Sequence, residues 1–426
     1  MQKRIEALLL LAIVLAALAA PLLVNDYVLV SDFWERQRVS AEIVSQESFP
    51  HFNSIYEPSA KYIYPLGIDA LDSFLSIASD LSFLNIAQAM GFIIMALLSM
   101  LVYLFVSRIY SHNVGIISAL FVAFMPRIAR LGMQPIPEMA GLVLIAATLF
   151  LLSRKNYKTA GLALGAALFF HYRSFFTALL IAALYLWFFR KQIDAKKAPG
   201  IALAPILMIP VYLASNLPAL LSGHSISNPF VFDWNALQVF GPILIVGIVG
   251  LLWALKNKKH LFLCAWLIAF GLLYAVAGLQ SNILQFRELI YAFIPVAVLA
   301  ALFLESRPRY LKFAVPIAGL CLITMLGMNL VAYPPVDKMD SAAIKTLKDS
   351  KDSVIMAGFV PSYGIPAIAG KNVVVGAFME GLPDGNQRIK DLNELLYTKS
   401  GRRAAEIMRK YGTKTLFLGR FETLPA

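Results

Sequence analysis

Residues 159–191 read TAGLALGAALFFHYRSFFTALLIAALYLWFFRK, and the way this stretch is divided decides the fold. Taken as one apolar span, it would put Arg190, Lys191, Lys196 and Lys197 on the opposite side from the other basic loops and invert every loop that follows. Taken as two short spans, about 159–171 and 174–189, hinged at His171-Tyr172-Arg173, it returns those four cations to the basic side. That side then also holds Arg108, the group Arg154, Lys155 and Lys158, the group Lys256, Lys258 and Lys259, and the group Arg307, Arg309 and Lys312. Short loops rich in Lys and Arg stay in the cytoplasm, so the split is the reading that keeps one consistent orientation.

Outward from this point the chain repeats the same grammar. Apolar blocks of bilayer-crossing length cover about 5–24, 84–106, 114–131, 136–153, 201–220, 241–255, 261–279, 289–304 and 311–333. With the two halves of 159–189 they make about eleven spans. The whole chain is 59% hydrophobic and 15% charged, against about 25% charged residues in a soluble domain. Its net charge of +12 lies mostly in the basic loops, which argues against a nucleic-acid partner. Cys264 and Cys321 both fall inside apolar blocks, and the five histidines are scattered. Neither a disulfide framework nor a His-built metal site follows.

The first block, with Lys3 and Arg4 ahead of it, reads as a retained anchor rather than a cleaved leader, although Ala17-Leu18-Ala19 resembles a cleavage site. Either reading sends the first loop, 25–83, out of the cytoplasm. Residues 334–426 have soluble composition. Asp340–Ser350 and Ser400–Tyr411 read as helices, the second stopped by Gly412. Ser353–Met356, Val373–Val375 and Thr415–Leu418 read as short buried strands. The expected architecture is an all-α polytopic membrane domain, 1–333, followed by a small extracytoplasmic α/β domain, 334–426.

Ionisable groups are nearly absent from the middle of the spans, where transporters place them. They gather at the outer boundary instead. Asp32 opens a stretch with Phe33, Trp34, Val39 and Ile43 at helical spacing, as in a helix lying in the interface; helix capping is an equally ordinary use of an aspartate there. The loop continues through Tyr64-Pro65-Leu66-Gly67 into an amphipathic run, Ile68, Leu71, Phe74 and Leu75. Arg127 and Arg130 stand in the next outward turn, against the charge bias, and Glu138 opens the span after it, where the helix dipole alone would favour an anion. Arg173 and Arg287 lie at further outer boundaries. Snorkelling accounts for any one arginine; four of them beside carboxylates suit a phosphate at the membrane surface.

At these residues the chain resembles the GT-C superfamily of membrane glycosyltransferases, and is most similar to the catalytic subunit of oligosaccharyltransferase of the archaeal and bacterial type. Asp32-Phe33-Trp34-Glu35-Arg36 is similar to the family's first acidic motif, and Tyr64 to Gly67 match its Tyr-Pro-Leu-Gly signature. Arg130, Gly132 and Glu138 follow its second motif, and Arg287 with Tyr291 and Pro295 its later arginine-led span. The resemblance implies a GT-C fold and transfer of a sugar from a polyprenyl- or dolichyl-phosphate-linked donor to a glycan, lipid or protein acceptor outside the cytoplasm. Asp32 would be the base and Glu138 a second acid. Arg287, with Arg130 and Arg173, would hold the lipid phosphate, and Arg127, His171 and Tyr64 complete that set. The enzyme would sit in a prokaryotic plasma membrane with its N-terminus inside.

Two departures limit the match. Glu138 has no acidic residue two positions earlier, which argues against a shared divalent metal, Mg or Mn. Where the family reads its acceptor with Trp-Trp-Asp-Tyr-Gly, this chain has Val360-Pro361-Ser362-Tyr363-Gly364, keeping the final pair alone. A divergent oligosaccharyltransferase acting on protein is therefore the second reading, and a flippase or transporter of lipid-linked sugar the third.

Overall fold

The computed structural model describes residues 12, 14, 31–50, 56, 66–126, 136–210, 212, 240–280, 289–330, 336, 338–376, 379, 382 and 384–419. Side chains at 31–33, 35, 258, 274–280, 325–330 and 338 lie outside that description. The first part of the chain supplies helices α1 (Ser31–Gln46), α2 (Gly67–Ser79), α3 (Phe83–Ile109), α4 (His112–Phe124), α5 (Pro137–Ser153), α6 (Tyr157–Phe170) and α7 (Tyr172–Phe188). Then come α8 (Ile243–Ala254), α9 (Leu261–Gln280), α10 (Phe293–Glu305) and α11 (Ala314–Leu330). The tail runs α12 (Lys338–Thr346), β1 (Val354–Ala357), α13 (Ile365–Ala369), β2 (Asn372–Val373), α14 (Gly385–Tyr397), α15 (Gly401–Lys410) and β3 (Leu416–Phe417). Two compact units result, one of residues 1–25, 87–213 and 229–331, the other of 26–86, 214–228 and 332–426. The division groups the first outer loop with the tail rather than cutting the chain once at 333. The first apolar block lies outside the described residues except at 12 and 14.

The larger unit is helical, and its helices are apolar all round. The decisive stretch is two helices, α6 and α7, joined at His171, whose backbone is extended (φ −161°, ψ 112°). Both pack against α5. At the centre, α10 is buried along nearly its whole length and touches α4, α8 and α9. Gly247 and Gly250 let α8 lie directly on it: a Cβ at Gly250 would stand 2.3 Å from the Leu299 carbonyl oxygen, and one at Gly247 2.7 Å from Val296. Small residues of this kind bring helix backbones together where no water drives them to hide an apolar face.

Large apolar side chains also point outward, among them Leu162, Trp187, Ile245, Leu252, Leu272 and Ile323. Such a surface suits lipid better than water. Among the described residues, α3, at 27 residues, is the one helix long and apolar enough to cross a bilayer unaided. Counted over residues whose side chains are described, the other apolar helices run 10–17 residues, about 26 Å at most at 1.5 Å per residue, so element lengths alone do not return the expected eleven spans.

In the smaller unit three short strands pair in parallel in the order β2-β1-β3, with Ile355 opposite Val373 and Met356 opposite Leu416. The Asp352 carboxylate accepts the Lys414 N–H at 2.8 Å and the Thr415 hydroxyl at 2.7 Å, fixing β3 beside β1. The three strands fall where the sequence places them. So does α15, capped by the Ser400 hydroxyl on the Arg403 N–H and followed by Gly412 at φ +65°.

The helices before this sheet differ from expectation. Trp34 and Val39 of α1 are buried, and the helix packs on α2, α13 and the turn at Pro361–Tyr363 instead of presenting them to an interface. In α2 the sequence suggests an apolar face at Ile68, Leu71, Phe74 and Leu75. The structure buries Ile68 together with Asp69, Asp72 and Ser73, and turns Phe74 outward. The cause is a polar seam. Arg36 reaches Asp69 at 2.9 Å, both side chains almost wholly buried, and the Ser73 hydroxyl donates to the Ser40 carbonyl at 3.0 Å. Both pairs join residues 33 apart in sequence, so α1 and α2 run side by side in the same direction.

Asp72 is a second carboxylate in this seam. Burial, and then the neighbouring Asp69 charge, push its pKa up to about 7 from the usual carboxylate range, with Arg36 opposing them. Its folded pKa is raised, so it binds a proton more tightly folded than unfolded. Stability is therefore lost as pH climbs from the ordinary carboxylate range through about 7. Asp72→Asn keeps the shape and removes the charge. Its unfolding temperature should fall less than the parent's between about pH 5 and pH 8, read by thermal unfolding across that range.

Candidate active site

Glu138 stands in the first turn of α5, behind Pro137 at the helix start, and keeps a small exposed fraction. His171 faces it, with Nε2 3.7 Å from Glu138 Oε1. The histidine is held from its other side. The Ser174 N–H donates to Nδ1 at 3.3 Å as a helix cap, the Ser174 hydroxyl lies 2.9 Å from the same nitrogen, and the Tyr291 hydroxyl lies 3.3 Å from it. Because Nδ1 accepts, a neutral ring carries its proton on Nε2, the nitrogen turned to the carboxylate. Tyr291 is fixed in turn by Ser174 at 3.0 Å and by the Trp266 indole, which donates to the Tyr291 carbonyl at 3.1 Å.

The meeting of α5 and α7 depends on Gly141, one turn beyond Glu138. A Cβ there would lie 2.0 Å from Ser174 Oγ and 2.3 Å from Ser174 Cβ. No side chain fits. The arrangement holds a carboxylate beside an imidazole of fixed tautomer, at the mouth of a helix whose dipole favours the anion. Such a pair can orient or deprotonate a hydroxyl or amide.

Behind Tyr291 the chain changes character. Leu289 and Ala292, on either side of it, line a groove of ≈ 340 Å³ together with apolar residues of α8 and α9, among them Ile248, Leu251, Phe270 and Gly271. The Phe270 ring also meets the Tyr291 ring at 5.9 Å. The groove wall is almost entirely apolar, and Ile248 and Ile268 at its edge are about half exposed.

Of the residues expected from sequence, the structure brings Glu138 and His171 together, with Arg173 half-buried two residues on. Asp32 is in the first turn of α1, its side chain outside the described residues. Tyr64, Arg127, Arg130 and Arg287 lie outside them too. Ser174 and Tyr291 complete the cluster but are absent from the expected site set; Tyr291's place four residues after Arg287, at the opening of a span, was the available signal. Among the described residues no group of three or more metal-ligating side chains comes together.

Solved structures share this architecture, among them the following three. The Archaeoglobus fulgidus oligosaccharyltransferase tethered to an acceptor peptide containing the NVT sequon superposes with a TM-score of 0.71 at 14% identity, over 96% of this chain and 68% of that one. AglB from the same organism, in complex with an inhibitory peptide and a dolichol-phosphate, gives 0.59 at 14% identity, over 97% and 69%. ArnT from Cupriavidus metallidurans bound to undecaprenyl phosphate gives 0.63 at 13% identity, over 92% and 91%. The fold is that of the GT-C glycosyltransferases. At such identities the likeness is one of fold. No family model and no curated protein matches the sequence. Within the GT-C fold the polar cluster belongs to the helical unit and α1, with Asp32, to the unit that holds the sheet.

Gly141→Ala should cost about 1–3 kcal/mol of stability, the usual range for overpacking, and should weaken any function that needs Glu138 beside His171. Adding Ser174→Gly removes the clashing atoms. The double variant should regain much of the loss, and a double-mutant cycle on unfolding free energies measures the coupling.

Proposed function

We propose that this protein is a membrane glycosyltransferase that takes a sugar from a polyprenyl- or dolichyl-phosphate-linked donor and passes it to an acceptor on the extracytoplasmic face. One observation carries the reading. In the short segment 289–292, Leu289 and Ala292 line an apolar groove while the Tyr291 hydroxyl joins the Glu138–His171 cluster. A molecule that is hydrocarbon at one end and polar at the other matches both surfaces at once. Arg287, just ahead of this segment in sequence, would hold the phosphate, with Arg130 and Arg173 in support. Asp32 would take the acceptor's proton as the sugar–phosphate bond breaks, and Glu138, oriented by His171, would be the second acid. The chain would cross the membrane about eleven times with its N-terminus inside.

The solved structures similar to this one support that class. One oligosaccharyltransferase structure superposes at 0.71 and another at 0.59, on either side of ArnT at 0.63, and the first keeps a protein acceptor as a second reading. Supplying a peptide with an Asn-x-Thr sequon to membranes containing the protein separates the two, through glycopeptide formed or not formed.

Two variants test the proposal. Asp32→Ala should abolish sugar transfer in membranes at unchanged protein level; full activity would end the assignment. Gly271 offers a gentler probe, because a Cβ there meets nothing within 4 Å. Gly271→Phe should fill the groove without disturbing its helix. It should raise KM for a long-chain donor far more than for a short-chain one, with kcat nearly unchanged.

A further inference from the structure

α2 is mounted with its polar face inward. Asp69, Asp72 and Ser73 are buried in the seam with α1, while Phe74 is 64% exposed and Ile77, one turn on, 70% exposed. A water-facing helix does the reverse. Leu81 continues the outward row at 47% exposed, and the Ser76 hydroxyl donates to its carbonyl at 3.2 Å, folding the connection back on the last turn of α2. Asp80 makes this reversal possible in the left-handed conformation, φ +56°, its N–H returning to the Ser76 carbonyl. Two residues after Leu81 begins α3, the long apolar helix.

We infer that this outward face of α2 is a membrane-embedding surface, with Phe74 and Ile77 inserted among the acyl chains of the leaflet that α3 enters. The occupant is lipid because of where the chain goes next. The connection of three residues, Asp80–Ser82, spans at most about 11 Å, and the Ser76–Leu81 bond shortens it, so Ile77 stays close to the point where a spanning helix meets hydrocarbon. Burying two such side chains favours insertion over exposure to water. That helps to hold α1, packed on the opposite face of α2, at a fixed depth. The inference rests on α3 crossing the membrane and not on the transferase reading.

The test uses the full chain in phosphatidylcholine–phosphatidylglycerol vesicles, with Cys264 and Cys321, both buried, replaced by alanine. Single cysteines at Phe74, Ile77 and Leu97 carry an environment-sensitive fluorophore. Leu97, exposed midway along α3, reports whether that helix is in lipid. Phe74→Cys and Ile77→Cys labels should emit to the blue, be strongly quenched by a nitroxide high on the lipid chain and resist aqueous iodide. Quenching by iodide would show a water-facing helix, and quenching by neither agent would show a protein partner; either overturns the inference. If Leu97→Cys also escapes a nitroxide placed near the end of the lipid chain, at the depth of mid-α3, the membrane reading itself falls. If Leu97→Cys alone is quenched by lipid, only the placement of α2 fails.

Discussion

In a bundle of helices that are apolar all round, hiding an apolar face cannot decide which helix touches which, so close backbone approach decides it. Gly141 under Ser174, and Gly247 and Gly250 under α10, are the places where this chain spends its smallest residues. The first sets the polar cluster. If α5 and α7 stood apart by even a methyl group, Glu138 and His171 would no longer share a site, and His171 would lose the orientation that its bonds to Ser174 and Tyr291 impose.

The cluster and the groove are two faces of one short turn. Tyr291 could not reach Ser174 without carrying Leu289 and Ala292 into the groove wall, and Trp266 pins the same turn from α9. The hydrocarbon-lined space and the proton-handling groups are therefore coupled through backbone, which makes the distance between them a property of residues 289–292 rather than of long side chains.

Much of this was legible in the chain. The basic residues after Phe189 forced a break near His171, and the break is there because His171 ends one helix and caps the next. Ser400 and Gly412 announced the ends of α15, and three β-branched or apolar runs announced the strands. The apolar face suggested for α2 was not the buried one, because periodicity sees apolar residues and cannot see that Arg36, 33 residues earlier, will demand a buried carboxylate. Ser174 was invisible for a similar reason. Its role comes from a glycine on another helix, a relation that local spacing does not record. The arginines expected to hold a phosphate remain sequence readings, since all but Arg173 lie outside the described residues.

The matching direction of α1 and α2 has a consequence for the chain between them. With Arg36 level with Asp69, the connection must climb back about 18 Å from the end of one helix to the start of the other at 1.5 Å per helical residue. About six extended residues would cover that distance, and the sequence supplies everything from 47 to 66. The return leg is thus much longer than the geometry requires. Part of that length is committed, since Tyr56 within it is buried and its hydroxyl stands where a Cβ at Gly376 would go; added length elsewhere costs little loop entropy and leaves the ion pair between the two helices in place. The register of the two helices is thus set by their own ion pair rather than by the length of chain between them.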